Sequence, residues 1–510
     1  MSIHLENARV IGAKFTDGKY ERPFAVVPRL KVPASCRVQL LITPSDDSHI
    51  ESVLWLPESG WNGRLWSTGN GAFAGSIDEP GLTIALSRSY AVSATDTGHR
   101  ADDLDAAWAL EHPQKLIDFG FRAIHETAKD AKAIVAAYYG RPASFSYFSS
   151  SSNGGREALM EAQRFPDDYD GIEAGAPALD GARTIAAVAW MEQQLVRTPG
   201  AWIPPSKLSV ITAAVMAACD ELDGLRDGLI DDPRRCAFKP ESLLCRNGDA
   251  DTCLSAQQVA SLKALYRGPG ADLGDTGHDG FSPGGESGWS DWLLGSAPGR
   301  SYLYQMTLQF YRYLIYADSS WSLDRFDYVR DAPEAVRKLD PMYEAREPDL
   351  NAFAAHGGKL IVFHGWNDMA IPPGRTIDYY EAVRTTMGSE QTAAFLRLYM
   401  VPGLRHVVGG RGPTAFGQIA PPAPNASASD NVSAALIAWV EQGLAPQAIV
   451  AGDYGERGAN THSLYDVISF ADMIPIRTRP LCPYPLAEHW TGHGSIDEAG
   501  NFVCAKPPPG

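Results

Sequence analysis

The sequence predicts an α/β fold, a mostly parallel β-sheet flanked by helices and interrupted by one large insertion. Three observations predict it. In the first 180 residues, short apolar runs rich in β-branched and aromatic residues alternate with helix-forming segments. One such run, at 145–148, breaks off on Ser149-Ser150-Ser151-Ser152-Asn153-Gly154-Gly155, and a helix-forming segment follows at once. Two further buried-strand patterns, at 359–365 and 395–401, return only after a gap of roughly 170 residues, far longer than an ordinary connection.

The elements follow in order. From about residue 20 to 100 the chain alternates β-rich runs with turns, and 38–42, 53–56 and 90–94 read as strands. Residues 119–139 have helical periodicity, with Ile124, Ala128, Ala131, Ile134 and Val135 on one side. The strand at 145–148, the helix beginning near Glu157 and a short strand at 169–174 complete a β-α-β series, which favours a parallel sheet. Residues 180–350 lose the pattern and are rich in Asp, Gly, Pro and aromatic residues, most of all at 267–299. The expected division is therefore 1–180 with 355–510 as the sheet domain, and 181–354 as an inserted lid.

Composition narrows the function. A chain of 510 residues exceeds what one hydrophobic core usually supports, in keeping with two lobes. Hydrophobic residues are 45% and charged residues 21%, ordinary for a globular protein. The net charge of −17 comes without any basic run, which excludes nucleic acid and anionic membrane surfaces as expected partners. No apolar stretch approaches the ~18 residues of a membrane span. The first residues have neither a basic nor an apolar leader segment, so the chain as written points to the cytoplasm. The seven cysteines point elsewhere. Cys219 with Cys236, Cys245 with Cys253, and Cys482 with Cys504 are local pairs whose loops suit disulfides, as in a secreted or periplasmic protein with a trimmed leader. Seven reduced thiols are the alternative, and no spacing favours zinc. Oligomeric state is not legible.

A strand that turns sharply into a helix on a small-x-Ser-x-Gly pattern is the nucleophile elbow of α/β-hydrolases. Ser152 fits it, with Ser150 two before and Gly154 two after. In that fold an acid and then a histidine follow, each on a loop after a strand. Asp368 follows the strand ending at Phe363, and His406 follows the strand ending near Val401. The chemistry needs a histidine to take the serine proton and a carboxylate to fix the imidazole tautomer. His364 lies nearby and is expected to pack structurally near the acid loop. The oxyanion hole is expected to use the backbone N–H of Asn153 and one from the glycine-rich turn around Gly69-Asn70-Gly71, with Gly71 the chosen residue.

These residues extend to a resemblance covering nearly the whole chain. Trp61-Asn62-Gly63-Arg64, Asp118-Phe119-Gly120-Phe121-Arg122, Ser152-Asn153-Gly154-Gly155-Arg156, Asp170-Gly171-Ile172-Glu173-Ala174-Gly175-Ala176-Pro177, His364-Gly365-Trp366-Asn367-Asp368, Pro402-Gly403-Leu404-Arg405-His406 and Arg479-Pro480-Leu481-Cys482-Pro483-Tyr484-Pro485 resemble the tannase/feruloyl esterase family. The resemblance implies an α/β-hydrolase core with a lid, a serine esterase acting on esters of aromatic acids, and a triad on Ser152, Asp368 and His406. It also implies a structural Ca²⁺ in the lid. The side chains of Asp220, Asp223 and Asp227 and the backbone carbonyls of Leu225 and Leu229 would bind it, with oxygen-only ligands suited to that ion. Disulfides Cys219–Cys236 and Cys245–Cys253 match the family's, whereas a partner for Cys36 is absent. One departure stands out. Family members typically carry cysteines just before the nucleophile and just after the histidine, joined behind the triad. Here those positions are Ser151 and Val407. Packing and hydrogen bonds must hold this site together instead.

The expected function is a carboxylic ester hydrolase working through an acyl-enzyme on a small-molecule ester of an aromatic or bulky acid. Trp289, Trp292, Trp321, Phe310, Tyr311 and Tyr313 are the expected lining of its acyl pocket. Two other readings stay open: a divergent hydrolase of a lactone, thioester or C–C bond, and a binding protein with a vestigial site.

Overall fold

The computed structural model describes residues 3–18, 32–270, 277–461, 470 and 473–507. The start of the β-rich region near residue 20 and part of the stretch after Arg267 lie outside the described residues.

The apolar runs assemble one nine-stranded sheet. Its strands are β1 (Ala8–Thr16), β2 (Ser35–Ile42), β3 (Ile50–Pro57), β4 (Arg64–Thr68), β5 (Ala91–Thr95), β6 (Phe145–Ser151), β7 (Gly171–Gly175), β8 (Lys359–Gly365) and β9 (Leu396–Val401). They stand in the order β1-β2-β3-β5-β4-β6-β7-β8-β9. The pairings β1–β2, β2–β3 and β3–β5 are antiparallel, and every pairing from β5 to β9 is parallel.

A parallel sheet is covered on both faces, so its strands read as continuous apolar runs with no polar side. β8 shows why. Leu360 and Val362 pack into the cluster under the helices Ala123–Tyr139, Asn153–Arg164 and Gly374–Met387, while Ile361 and Phe363 pack against Glu79–Ser87 and Val432–Gln442 on the other face. β1 and β4 have no such run and went unread in the sequence. β1 is an edge strand exposing Val10, Ile11 and Phe15, and β4 is short and half polar.

β7 and β8 are neighbours in the sheet although residues 176–358 separate them in the chain. This insertion is largely helical, contrary to its irregular reading in the sequence, with helices Gly181–Val196, Leu208–Cys219, Ala256–Arg267, Tyr302–Gln309 and Tyr328–Tyr343. The first is buried on nearly every side, so it carries no polar stripe and no legible period. Val188, Met191, Ile211, Val215, Leu262, Trp289 and Leu293 form a core within the insertion. A second cluster joins it to the sheet body, bringing Phe73 and Phe119 against Ile185, Tyr311, Trp321 and Tyr343.

Three disulfides are formed, Cys219–Cys236, Cys245–Cys253 and Cys482–Cys504, while Cys36 is free and half-buried. Disulfides persist in oxidising compartments, so the chain carries a mark of secreted or extracellular proteins. Among the described residues, no helix is long and apolar enough to cross a membrane.

Candidate active site

Ser152 sits at the junction of β6 and the helix Asn153–Arg164 with φ 62° and ψ −124°, a conformation L-residues rarely adopt. The turn is tight enough to dictate its neighbours. A Cβ on Gly154 would stand 2.0 Å from Ser150 Oγ and 3.1 Å from the Asn70 carbonyl oxygen, and one on Gly155 would stand 2.7 Å from the Gly175 carbonyl oxygen. Strain of this kind persists only where the surroundings over-determine it, and it projects the serine at the sheet's carboxyl edge.

Asp368 and His406 come together at that same edge. The loops after β8 and β9 are stitched by backbone bonds, Trp366 N–H to Val401 O at 3.0 Å and Asn367 N–H to Leu404 O at 3.0 Å. His406 Nδ1 lies 2.8 Å from Asp368 Oδ2. Asp368 Oδ1 accepts the N–H groups of Ala370 at 2.7 Å and Ile371 at 2.9 Å. Burial alone would raise this carboxyl, but the two histidines outweigh burial and hold it well below the ordinary carboxylate range. His364 is fully buried, as the structural reading expected. Its Nδ1 meets Thr376 Oγ1 at 2.8 Å and its Nε2 faces Asp368 Oδ2 at 3.2 Å.

Ser152, Asn153, Gly71 and His406 open on one cavity of about 550 Å³ between the sheet edge and the insertion. Gly71 is exposed, with nothing within 4 Å of where its Cβ would stand. The expected aromatic lining needs correction. Trp292 lines the cavity and its ring centroid is 5.4 Å from that of His406. Trp289, Trp321, Phe310 and Tyr311 are instead buried in the two cores of the insertion, and Tyr313 packs against one of them. The aromatic and apolar walls are supplied by Phe73, Tyr302, Leu303, Met306 and Tyr343, which no sequence pattern singled out.

The family pattern described as tannase and feruloyl esterase matches residues 36–505. The chain belongs to the tannase and feruloyl esterase family. It is therefore a carboxylic ester hydrolase with an α/β-hydrolase core. It is 39% identical to an uncharacterized esterase of Xanthomonas campestris pv. campestris, over 94% of this chain and 86% of that one. It is 33% identical to mono(2-hydroxyethyl) terephthalate hydrolase of Piscinibacter sakaiensis, over 88% and 80%. The crystal structure of feruloyl esterase B from Aspergillus oryzae superposes with a TM-score of 0.87 at 26% identity, covering 99% of this chain and 98% of that one.

In this esterase the two positions that resemblance gives to cysteines are held otherwise. Ser151 and Val407 are both buried and line the cavity. Val407 has φ 67°, an outlier for a β-branched residue, and its carbonyl accepts from Gln418 Nε2 at 3.1 Å. The next residue, Ile419, donates its N–H to Glu173 Oε1 at 2.8 Å, and Ser433 donates to Glu173 Oε2 at 2.5 Å. Glu173 lies on β7, beside β6, so hydrogen bonds run from the loop carrying His406 to the strand neighbouring the elbow. Burial pushes the Glu173 carboxyl up to about 7.

The acidic loop of the insertion curls at Gly224 (φ 95°) and Gly228 (φ 84°). Asp220 Oδ1 accepts from Gly228 N at 3.0 Å, Asp223 Oδ1 from Leu225 N at 2.9 Å, and Asp227 Oδ1 from Leu229 N at 3.2 Å. Two carboxyls outside the expected set share this charge, Asp231 from the same acidic run and Glu488, which nothing in the sequence tied to the loop. Burial, and then the neighbouring carboxylates, push Asp231 well above its ordinary value. Burial is also the main cause that brings Glu488 to about 8. Arg479 meets Asp227 Oδ2 at 2.5 Å, and Arg477 is 3.6 Å away. The donor set is oxygen only and its negative charge exceeds what these two arginines neutralise, so its chemistry fits a hard cation.

Among the described residues, however, these carboxylates do not bring three ligand atoms within 4.8 Å of one another; only His125, Glu161 and Asp168 do so. That second group is a hydrogen-bonded network. His125 Nδ1 is 2.6 Å from Asp168 Oδ2, whereas two ligands of one metal ion stand about 3 Å or more apart. Burial, and then Asp168, hold Glu161 well above the ordinary carboxyl range.

Proposed function

We propose that this esterase is a serine hydrolase that forms an acyl-enzyme with an ester of an aromatic or bulky acid. The observation that carries the reading is the 2.8 Å bond between His406 Nδ1 and Asp368 Oδ2, on loops that share one cavity with the strained Ser152. Ser152 Oγ attacks the ester carbonyl while His406 Nε2 takes its proton. Asp368 fixes the tautomer and stabilises the imidazolium. The tetrahedral oxyanion is held by the N–H groups of Asn153 and Gly71. His406 returns the proton to the departing alcohol, and water then releases the acid by the same steps. Trp292, Tyr302 and Phe73 give the cavity the flat apolar walls that suit an aromatic acid. The names of two relatives, feruloyl esterase and mono(2-hydroxyethyl) terephthalate hydrolase, point to esters of aromatic acids as well. The test is hydrolysis of methyl ferulate, methyl gallate and p-nitrophenyl acetate by wild type and Ser152→Ala. Aromatic-ester turnover that vanishes in the variant is expected. Turnover that survives it would remove the serine mechanism.

The acidic loop is proposed to hold a structural Ca²⁺. Asp220, Asp223 and Asp227 would supply side-chain oxygens, and Leu225 and Leu229 backbone carbonyls. Stripping it with EGTA is expected to lower the unfolding temperature by about 3 °C, since a tightly held ion contributes roughly 3 kcal/mol and a chain of 510 residues shifts by about 1 °C per kcal/mol. Added Ca²⁺ restores the loss, and Asp223→Ala shows no response to chelator. A wild type that retains no calcium after dialysis and melts identically in EGTA would discard the ion.

A further inference from the structure

Glu157 is fully buried one turn into the helix that Ser152 precedes, and its two oxygens face different elements. Oε2 accepts the backbone N–H of Asn70 at 2.9 Å, and Oε1 accepts from Asn153 Nδ2 at 3.0 Å. Asn70 immediately precedes Gly71, and Asn153 immediately follows Ser152. The packing leaves no slack between them. A Cβ on Gly69 would stand 2.3 Å from Glu157 Oε2 and 3.0 Å from Gly154 Cα. The base of the glycine-rich loop is fixed as well, because Asn70 Nδ2 donates to Ser76 O at 2.7 Å and Thr95 O at 2.9 Å.

Burying a carboxylate is costly unless something needs it. Desolvation pushes Glu157 up to about 7, and the nearest guanidinium, Arg156, is 3.9 Å away and already bonded to the carbonyls of Phe119 and Gly120. Two N–H donors converge on this side chain from different elements, and an ionised carboxylate is the group that accepts at both ends. An amide of the same shape would turn an N–H toward one of the donors.

We propose that Glu157 is a positioning residue for the oxyanion hole, tying the loop that presents Gly71 to the residue, Asn153, that presents the other donor. The proposal rests on the serine-esterase reading above and adds to it how the two donors keep their separation.

The test is Glu157→Gln, measured on the best ester of the panel. The kcat is expected to fall about 10- to 100-fold with KM within about threefold, since only stabilisation of the transition state is lost. Affinity for an aromatic boronic acid, a mimic of the tetrahedral state, should fall by the same factor, while affinity for the free aromatic acid stays unchanged. A purely structural residue would lower the unfolding temperature without moving the boronate-to-acid ratio. A folded variant with kcat and boronate affinity within threefold of wild type overturns the proposal. Should Glu157→Gln fail to fold, Asn153→Ala removes one tie and keeps the backbone donor. A drop of about fivefold or more in kcat and boronate affinity supports the proposal, and unchanged values overturn it. Ser152→Ala separates the two levels. If it stays active the serine reading itself fails; if it is dead while Glu157→Gln is normal, only the positioning role fails.

Discussion

Asp368→Asn leaves a folded esterase whose kcat is about 10⁴-fold lower, the size of loss known for the same change in a serine-protease triad, with KM little altered. The substitution is nearly isosteric, so the loss must come from hydrogen-bond polarity. Oδ1 accepts two backbone N–H groups, those of Ala370 and Ile371, and Oδ2 meets His406 Nδ1 and faces His364 Nε2. A carboxamide can satisfy only one side. With its oxygen kept on the backbone donors, its NH₂ points at His406 and forces the proton onto Nε2, the nitrogen that must accept from Ser152. The acid range gives a second readout. His406 and His364 hold the Asp368 carboxyl well below its usual 3.8 despite burial. A carboxyl lowered on folding contributes stability above its unfolded value, and that contribution fades as pH falls through the folded value. Wild type should therefore have the full share of stability due to Asp368 above about pH 3.8 and lose it progressively as pH falls below that value, whereas the variant lacks that share at every higher pH. Steady-state kinetics with urea unfolding at several pH values checks both, and a variant retaining more than about a hundredth of wild-type kcat would remove Asp368 from the mechanism.

What was legible in the sequence follows a physical division. β8 and β9 were readable because strands buried on both faces are continuous apolar runs, and the elbow because a serine at φ 62° requires small residues at 150 and 154. Those elements carry Ser152, Asp368 and His406, so the candidate site could be proposed from the elbow motif and the order of the strands. The insertion was illegible because its helix Gly181–Val196 is buried nearly all round, and because helices elsewhere are packed end to end with irregular turns. The aromatic lining was misassigned for a related reason. Trp289, Trp321 and Tyr311 are large enough that a small helical unit uses them as its own core, and sequence does not distinguish a buried ring from one facing a cavity. Glu157 and Glu488 escaped notice because their partners, Asn70 and the acidic loop, are remote in the chain.

Gly365→Ala should cost about 10²-fold in kcat and about 1–3 kcal/mol in stability, although Gly365 touches no substrate. It is the last residue of β8, and it permits the loops bearing Asp368 and His406 to meet. A Cβ there would stand 2.2 Å from the Leu404 carbonyl oxygen and 2.7 Å from that of Arg405. Both obstacles are backbone, held by the bonds Trp366 N–H to Val401 O and Asn367 N–H to Leu404 O, so no side chain can rotate away. Relief requires the two loops to part by roughly 1 Å, a displacement that costs about two orders of magnitude where reacting groups must align. His406 lies two residues beyond Leu404 and moves with it, stretching its 2.8 Å bond to Asp368. Gly357→Ala supplies the contrast. That glycine has φ 96° and nothing within 4 Å of its Cβ position, so alanine there strains the backbone and lowers stability by about 1 kcal/mol, with kcat unchanged. Equal activity losses in the two variants would mean that activity follows general stability, and that the approach of the loops at Gly365 does not set the geometry of Asp368 and His406.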